Sequence, residues 1–514
     1  MRKIAGFARM AAIGLPILFA ASAVEAQSGP PTAEELAAQI NALKQDYEKR
    51  IATLEAQIAA MKAKPAAAGE KAAPASRPAM RTGDNSFNPA IGVVLNAMFV
   101  DHSETEVGLP GFPVGHESER PAKGFSLGHS EVTASGNIDD KFRGALTLGL
   151  GHHEGEPTEL EIEEAYIQTL AGSGLPDGTR IKAGRALWTF GYLNEQHAHG
   201  DDFADRPLPY RAFLDGAYND DGVELSVVLP GDIYKEVGGG LFRGSDMPFG
   251  GSESGREAWS AYARIGGDVG SNSALRLGAY VLDGASHGRS GGGHDHAHED
   301  EHAHEDEHAH EHEEEEHEDH ADENGEDHDE HEHRHAHAEF FSDGMFTGDT
   351  RLFGVDFRYT WAPTGNARDS ELILQGEYFR RSEKGDYTLP EAEEHVECET
   401  PEPAEGEDHA HEVCETHLDD VTEPFSGDAN GWYAQAVYKF LPQWRVGARY
   451  SRLSPPSAAE VDDTSTISAM LDWTNSEFGR VRFQYNRESS GDMRDNQLIL
   501  QYVMSLGAHA AHSF

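Results

Sequence analysis

The chain contains 514 residues, and its formal net charge is −50 at pH 7. A chain this acidic is excluded from ordinary nucleic-acid binding, because the phosphate backbone is bound by basic side chains. The charge is concentrated in two segments. Residues 294–337 hold 21 acidic side chains and one basic one, whereas residues 391–423 hold 14 acidic side chains and no basic one. These segments carry net charges of −20 and −14, so most of the acidity belongs to two insertions and not to the scaffold.

Residues 1–26 are typical of a secretory signal peptide. Arg2, Lys3 and Arg9 give a positively charged start, an apolar stretch covers residues 10–23, and small residues precede a cleavage site at the end of the segment. Such a segment is removed on export and is not a membrane helix. We therefore expect an exported protein.

Residues 27–64 show the spacing of a coiled-coil helix. Their apolar residues recur at steps of three and four, at Leu36, Ile40, Leu43, Tyr47, Ile51, Leu54, Ile58 and Met61. A coiled-coil seam is buried only against a partner helix, so this segment predicts an oligomer. The alternative is a single amphipathic helix that lies on another surface. Residues 65–86 are rich in alanine and proline and are interpreted as a linker.

Residues 87–514 show the two-residue alternation of β-strands. In the first predicted strand one face carries Ile91, Val93, Leu95, Ala97 and Phe99. Such runs have one apolar and one polar face, because side chains alternate along a strand. We predict about 16 strands, at residues 91–101, 125–138, 142–150, 160–170, 179–190, 222–230, 233–242, 257–267, 274–283, 349–361, 370–381, 431–441, 444–453, 464–474, 480–487 and 496–514.

The predicted connections alternate between short and long. Those after even-numbered strands are mostly short, whereas long ones follow odd-numbered strands, at 102–124, 191–221, 284–348 and 382–430. Short turns at one end and long loops at the other are the rule for outer-membrane barrels. The apolar face of the last strand also keeps its phase towards the terminal Phe514. Lipid offers no hydrogen-bond partner to a free strand edge, so the sheet must close. The sequence therefore predicts an all-β fold, an antiparallel transmembrane β-barrel of about 16 strands in the bacterial outer membrane, with the coiled coil in the periplasm.

The loop 284–348 contains 15 histidines between residues 294 and 337, many of them in His-Ala-His units. Imidazole and carboxylate are ligands that Zn²⁺, Cu²⁺ and Ni²⁺ accept. We predict a solvated loop that binds many exchangeable divalent ions, with zinc as the favoured metal. The alternative is a solvated acidic loop that repels anions. The predicted ligands, including two from the second acidic loop, are His294, His296, His298, His302, His304, His308, His310, His312, His317, His320, His335, His337, His409 and His411.

Residues 298–302 and 304–308 match the H-E-x-x-H pattern of zinc proteases. That motif needs a buried helix that presents both histidines to one metal. The surrounding residues are polar and offer no packing face, so composition accounts for the matches. The sequence contains no other convincing catalytic set, and we predict that the protein is not an enzyme.

Two further features concern the second acidic loop and the long connection 191–221. Cys398 and Cys414 lie in the loop 382–430, where a disulfide is favoured in an oxidising compartment and metal ligation is the alternative. The connection 191–221 carries histidines and acids that could form a cation site along the substrate path, namely His197, His199, Asp201, Asp202 and Asp205. Arg206 and Arg211 offer the alternative that the acids pair structurally.

Three short stretches, Phe87–Pro89, Gly128–Glu131 and Glu163–Gln168, resemble outer-membrane porins of the phosphate-selective porin O/P type. The run from Gly184 to Tyr210 looks most like the subgroup labelled zinc-regulated outer-membrane receptors or porins. The resemblance implies a 16-stranded, homotrimeric barrel whose third external loop folds into the lumen and narrows it. It would place His197, His199, Asp201 and Asp202 near the constriction. Phosphate selectivity is not carried over, because the predicted mouth is acidic.

These observations predict a porin-like channel in outer-membrane lipid that concentrates and passes divalent metal ions, above all Zn²⁺. The alternative is a barrel-anchored metal-binding or adhesion protein without an open pore.

Overall fold

The computed structural model describes residues 89–104, 108–115, 118, 120–121, 123–151, 159–252, 254–290, 341–399 and 413–507. The predicted signal peptide, coiled coil and linker lie outside the described residues, and so do all the predicted metal-binding histidines from His294 to His337 and the pair His409 and His411. Those predictions stay predictions.

Within these described ranges, seventeen strand segments form one antiparallel sheet that closes on itself. The strands are β1 (Ala90–His102), β2 (Gly124–Leu127), β3 (Ser130–Asn137), β4 (Phe142–Gly151), β5 (Glu159–Thr169), β6 (Thr179–Leu187), β7 (Asn219–Val228), β8 (Tyr234–Phe242), β9 (Ala258–Asp268), β10 (Ser273–Arg289), β11 (Met345–Trp361), β12 (Glu371–Glu399), β13 (Val413–Leu441), β14 (Trp444–Ser454), β15 (Thr464–Ser476), β16 (Gly479–Ser490) and β17 (Met493–Gly507). Strand β1 pairs with β17 and closes the barrel. Because β2 and β3 both pair with β1, they are one interrupted strand, and the predicted 16-stranded barrel is confirmed.

Side chains alternate between the lipid and the lumen along the strands. In β1, Leu95 and Phe99 are exposed on the outer face, whereas Asn96 and Met98 are buried on the inner face. The other strands add outward-facing apolar residues such as Ile167, Leu241, Ile265, Leu277, Phe353, Ile467, Phe483 and Leu500. An apolar outer face and a polar inner face are what a membrane-spanning barrel requires. No helix in the described part of the chain has both the length and the apolar character needed to cross a bilayer.

Two of the predicted loops are shorter than expected. Strand β10 continues to Arg289 and β11 begins at Met345, so the predicted loop 284–348 loses residues at both ends. The loop 382–430 was predicted wrongly over most of its length, because β12 runs to Glu399 and β13 starts at Val413. Polar side chains ended the predicted strands too early. Above the membrane, water satisfies both faces of a hairpin, so apolar alternation is not needed there.

An aromatic cluster supports the base of this extended hairpin. The ring of Tyr387 on β12 lies 5.3 Å from that of Phe425 on β13 and 5.0 Å from that of Phe346 on β11. Phe341 packs against Tyr387 from the connection before β11, with ring centroids 4.9 Å apart. These contacts hold β11, β12 and β13 together beyond the ends that the sequence predicted.

The connection between β6 and β7, residues 188–218, lies inside the barrel. We call it the internal loop. It contains two short 3-10 turns, Leu193–Glu195 and Ala198–Gly200, and one helix, α1 (Leu208–Leu214). Glu377 of β12 is buried and accepts hydrogen bonds from the backbone nitrogen of Tyr192 at 2.9 Å and from the Tyr210 hydroxyl at 3.0 Å. On the opposite wall, the backbone nitrogen of Ala204 donates to Gln484 of β16 at 2.7 Å. The loop thus spans the lumen.

The internal loop divides the lumen into a filled side and an open side. Aromatic residues of the loop pack against those of strands β8–β13 and fill one side, among them Trp188, Phe190, Tyr210, Phe213, Tyr218, Phe242, Tyr262, Tyr280, Phe379 and Tyr433. On the other side, a cavity of about 1540 Å³ remains between the loop and residues of β1, β2, β4, β5, β6 and β17. The candidate site lies in the wall of this cavity.

Candidate metal site in the lumen

The first part of the site is built by a β-bulge between β2 and β3. Leu127 pairs with Ala97, and Glu131 pairs with Val94, so β2 and β3 have three residues here where β1 has two. An extra residue bends a strand and changes which side chains face inward. His129 occupies the bulge, and both it and Glu131 point into the lumen, where they contact other polar side chains.

A second bulge lies across β4 from the first. Thr147 pairs with Glu164 and its neighbour Leu148 pairs with Ile162, which leaves Glu163 as the extra residue on β5. Consecutive strand residues normally point to opposite faces. Because of the bulge, the carboxylates of Glu163 and Glu164 both face the lumen and contact one histidine.

That histidine is His197 of the internal loop. Its Nδ1 lies 3.0 Å from Glu163 Oε2 and 3.2 Å from Glu131 Oε1, and its Nε2 lies 3.1 Å from Glu164 Oε2. The ring of His199 stacks on that of His197 at 5.8 Å, and His199 Nδ1 lies 2.8 Å from Glu131 Oε1. The loop therefore adds two imidazoles to the residues that the two bulges turn inward.

Three of these residues come close enough to share one ion. One ligand atom from each of His129, Glu131 and Glu163 lies within 4.8 Å of the other two. His129 Nε2 contacts Glu163 Oε1 directly and lies 3.7 Å from Glu131 Oε1. The adjacent Gly149 of β4 leaves room for this arrangement, because a Cβ atom there would meet Glu163 Oε1. We call His129, Glu131 and Glu163 the lumen triad.

Burial and charge distinguish the triad from an ordinary ion pair. The Glu131 side chain is 1% exposed, yet its Oε2 has no hydrogen-bond partner among the described residues. Within the same residues, the ion-pair partners of Glu131, Glu163 and Glu164 are all histidines. Burial disfavours the charged form of His197, but its hydrogen bonds to the three carboxylates raise its pKa well above the ordinary value. In the absence of a metal, a protonated His197 supplies positive charge to this group.

The three aspartates of the internal loop have different partners. Asp201 Oδ2 lies 2.7 Å from Arg206 Nε. Asp202 and Asp205 pair with arginines of β14, Arg445 and Arg449, each at 2.7 Å. The structure thus separates the histidines of the loop from its aspartates, and all three aspartates pair with arginines, although only Asp201 pairs with one of the two arginines considered in the sequence. Arg206 takes part in that pairing, whereas Arg211 pairs with Glu488 at 3.3 Å.

The cysteines lie far along the extended hairpin. The backbone register of β12 and β13 places Cys398 directly opposite Cys414. Residues that face each other in an antiparallel pair have Cα atoms about 4.5–5.5 Å apart, within the range that disulfides span. The register therefore permits the disulfide, which stays a prediction.

His129, Glu131 and Glu163 were not predicted as a site, although they lie in the stretches that carry the family resemblance. A signal was present in the phase of the apolar residues. Leu160 and Ile162 face outward at even positions, whereas Ile167 faces outward at an odd one. A phase change within one strand indicates a bulge, and bulges occur often beside functional sites.

The chain was compared with protein-family models and with known proteins. No protein-family model matches the chain. An uncharacterised protein of Aquifex aeolicus (strain VF5) is 25% identical over 464 residues, which cover 84% of this chain and 80% of that protein.

Three solved structures illustrate the similarity in fold. OmpT, an outer membrane protein of Vibrio cholerae in trimer form, has a TM-score of 0.43 and 8% identity, with 81% of this chain and 99% of that chain covered. The anion-selective porin from Comamonas acidovorans gives 0.43 and 8%, with 81% and 99% covered. The outer membrane channel DcaP of Acinetobacter baumannii gives 0.43 and 11%, with 82% and 96% covered. The apolar outer face of the barrel itself is what indicates a membrane environment.

Proposed function

We propose that the protein is a porin-like channel of the bacterial outer membrane that passes divalent metal ions inward by diffusion, with zinc as the favoured ion. The observation that carries the proposal is the open side of the lumen, a cavity of about 1540 Å³ whose wall includes His129, Glu163 and His197. Imidazole beside carboxylate suits zinc and related metals better than it suits Ca²⁺ or Mg²⁺.

The external loops supply the second part of the proposal. The strand ends that lead into both acidic segments, Arg289 and Met345 for one and Glu399 and Val413 for the other, lie at the same end of the barrel. The histidines of segment 294–337 would hold ions weakly at the mouth, and the summed negative charge would raise the local cation concentration. Affinity must stay modest, since conduction needs release as well as binding. The predicted coiled coil and the family resemblance favour a homotrimer.

The experiment combines single-channel recording with zinc flux into liposomes. The test variant replaces every histidine of residues 294–337 with glutamine, which keeps the charge of the segment and removes its imidazoles. We expect the potassium conductance to stay unchanged and zinc flux at low zinc concentration to fall several-fold. A second variant that lacks residues 294–337 separates the effect of charge from that of imidazole. Equal zinc flux in all three proteins would contradict the role of the loop.

The second candidate function is a barrel that anchors metal-binding loops without conducting ions. The aromatic cluster favours it, because rings from the internal loop and strands β8–β13 fill one side of the lumen. Single-channel recording separates the two candidates, since a closed anchor shows no conductance steps.

A further inference from the structure

We propose that the lumen triad, His129, Glu131 and Glu163, binds one divalent metal ion of the zinc type inside the barrel. The site is distinct from the predicted ligands of the external loops. It also goes beyond the proposed transport, because the triad could hold an ion whether or not the barrel conducts.

The lumen triad offers the ligand atoms that such an ion needs. One imidazole nitrogen and two carboxylates present ligand atoms within 4.8 Å of one another. A histidine with two carboxylates is a donor set that Zn²⁺ and its neighbours in the first transition series accept. Three protein ligands leave at least one coordination position for water, which is typical of exchangeable and not of structural zinc.

One carboxylate oxygen of Glu131, Oε2, lacks a hydrogen-bond partner among the described residues. The Glu131 side chain is almost fully buried. A buried carboxylate oxygen without a partner costs free energy. A metal ion bound by the triad would coordinate the Glu131 carboxylate, whose Oε2 no described side chain satisfies.

Among the described residues, neither an arginine nor a lysine forms an ion pair with the triad carboxylates. Arginines pair with Asp202 and Asp205 of the internal loop, but within the described residues the triad carboxylates have histidines as their only ion-pair partners. An arginine cannot give up its charge, so it would occupy the carboxylates permanently. Histidine, in contrast, is itself a ligand that these metals accept.

Two histidines of the internal loop hold the triad glutamates in position. His199 Nδ1 lies 2.8 Å from Glu131, and the His199 carbonyl accepts a hydrogen bond from Arg480 of β16 at 2.6 Å. His197 contacts Glu131 and Glu163 from the loop side. Partners of this kind orient metal ligands, and their loss commonly weakens metal affinity by about ten- to hundredfold. His197 and His199 are therefore assigned as positioning residues.

The experiment titrates the full-length protein, folded in detergent, with Zn²⁺ alone. The reaction of each histidine with diethyl pyrocarbonate is followed by peptide mass spectrometry. We expect zinc to protect His129, and we expect Glu163→Gln to raise the zinc concentration for half-protection by at least about tenfold. Gly149→Ala keeps all three ligands but fills the space beside Glu163, and it should have the same effect.

The matched control is Glu161→Gln. Glu161 lies two residues earlier on β5 and lines the same cavity, but it is not part of the triad. This variant loses the same charge and should keep the wild-type half-protection of His129. Folding of every variant is checked by its heat-modifiable migration in gels.

Two outcomes would overturn the inference: His129 unprotected while the histidines of residues 294–337 are protected, or half-protection unchanged in both Glu163→Gln and Gly149→Ala. The external histidines report loop binding in the same sample, and transport is judged by conductance and flux. A failure of the triad is thus distinguishable from a failure of the proposed channel.

Discussion

The internal loop meets two walls of the barrel through two different kinds of charged contact. Towards β3 and β5, His197 and His199 face glutamates. Towards β14, Asp202 and Asp205 face arginines, and the backbone carbonyl of Asp201 accepts a hydrogen bond from Arg482 of β16 at 2.7 Å. Both walls hold the same loop, but only the wall of histidines and glutamates consists of side chains that can all become metal ligands.

The difference follows from the two cationic side chains. A guanidinium stays charged at every physiological pH and matches a carboxylate geometrically, so an arginine–aspartate pair is a permanent anchor. An imidazole titrates near neutrality and is a metal ligand once it is neutral. One wall therefore fixes the loop in the lumen, and the other leaves its carboxylates available to an ion. Substitutions on the two walls should therefore differ in how much free energy of unfolding they remove.

The largest effect on stability is expected for Arg482→Met. Arg482 and Asp472 are both buried, with Nε 2.8 Å from Oδ1, and Arg482 also holds the carbonyl of Asp201. Removing Arg482 leaves the buried Asp472 carboxylate with one of its two arginine partners, Arg445, and frees the Asp201 carbonyl, so we expect a loss of about 3 kcal/mol in the free energy of unfolding. Urea unfolding in lipid vesicles measures it. The control Arg494→Met lies at the exposed start of β17 and should change stability by about 0.5 kcal/mol or less. Equal losses in the two variants would remove the anchoring role.

A smaller effect is expected for Glu164→Gln on the opposite wall. Glu164 contacts His197 Nε2 at 3.1 Å, and glutamine keeps the shape and one acceptor oxygen. In the presence of a chelator, the free energy of unfolding should fall by about 1 kcal/mol or less. The same unfolding assay tests this. A cost as large as that of Arg482→Met would show that both walls anchor the loop equally.

The smallest effect is a pH dependence confined to the histidine wall. Since the pKa of His197 is raised in the folded protein, its charged contacts stabilise the fold fully below the unfolded value of about 6.5. That contribution is lost as the pH rises through the raised pKa. With chelator present, the difference in unfolding free energy between the wild type and His197→Gln should therefore be larger at about pH 6 than in alkaline buffer, and it should fall steadily as the pH rises. A difference that is constant with pH would contradict the charged state of His197.

The parts predicted correctly from sequence depend on local pattern. The alternation that placed Leu95 and Phe99 on one face holds in β1, and the long connections fall at one end of the barrel. The strand ends were predicted wrongly where the outward-facing residues no longer have to be apolar. On β12 the outward-facing residues Arg380, Ser382 and Lys384 are polar, so the apolar alternation stops although the strand continues. The hairpin therefore continues to Glu399 without a sequence signal that the alternation rule can detect.

The sequence by itself determined the class of the fold. Lipid requires every strand to be paired and every outer face to be apolar, and the second requirement appears in the sequence as apolar residues at alternate positions. It also determined the acidic, histidine-rich character of the external segments, which is a matter of composition. Only the tertiary structure decided which acids meet which cations. His129 and Glu163 come from strands separated by β4, His197 comes from a loop folded across the lumen, and two bulges turn them towards one another. Such encounters depend on register and on chain closure, which no local pattern specifies.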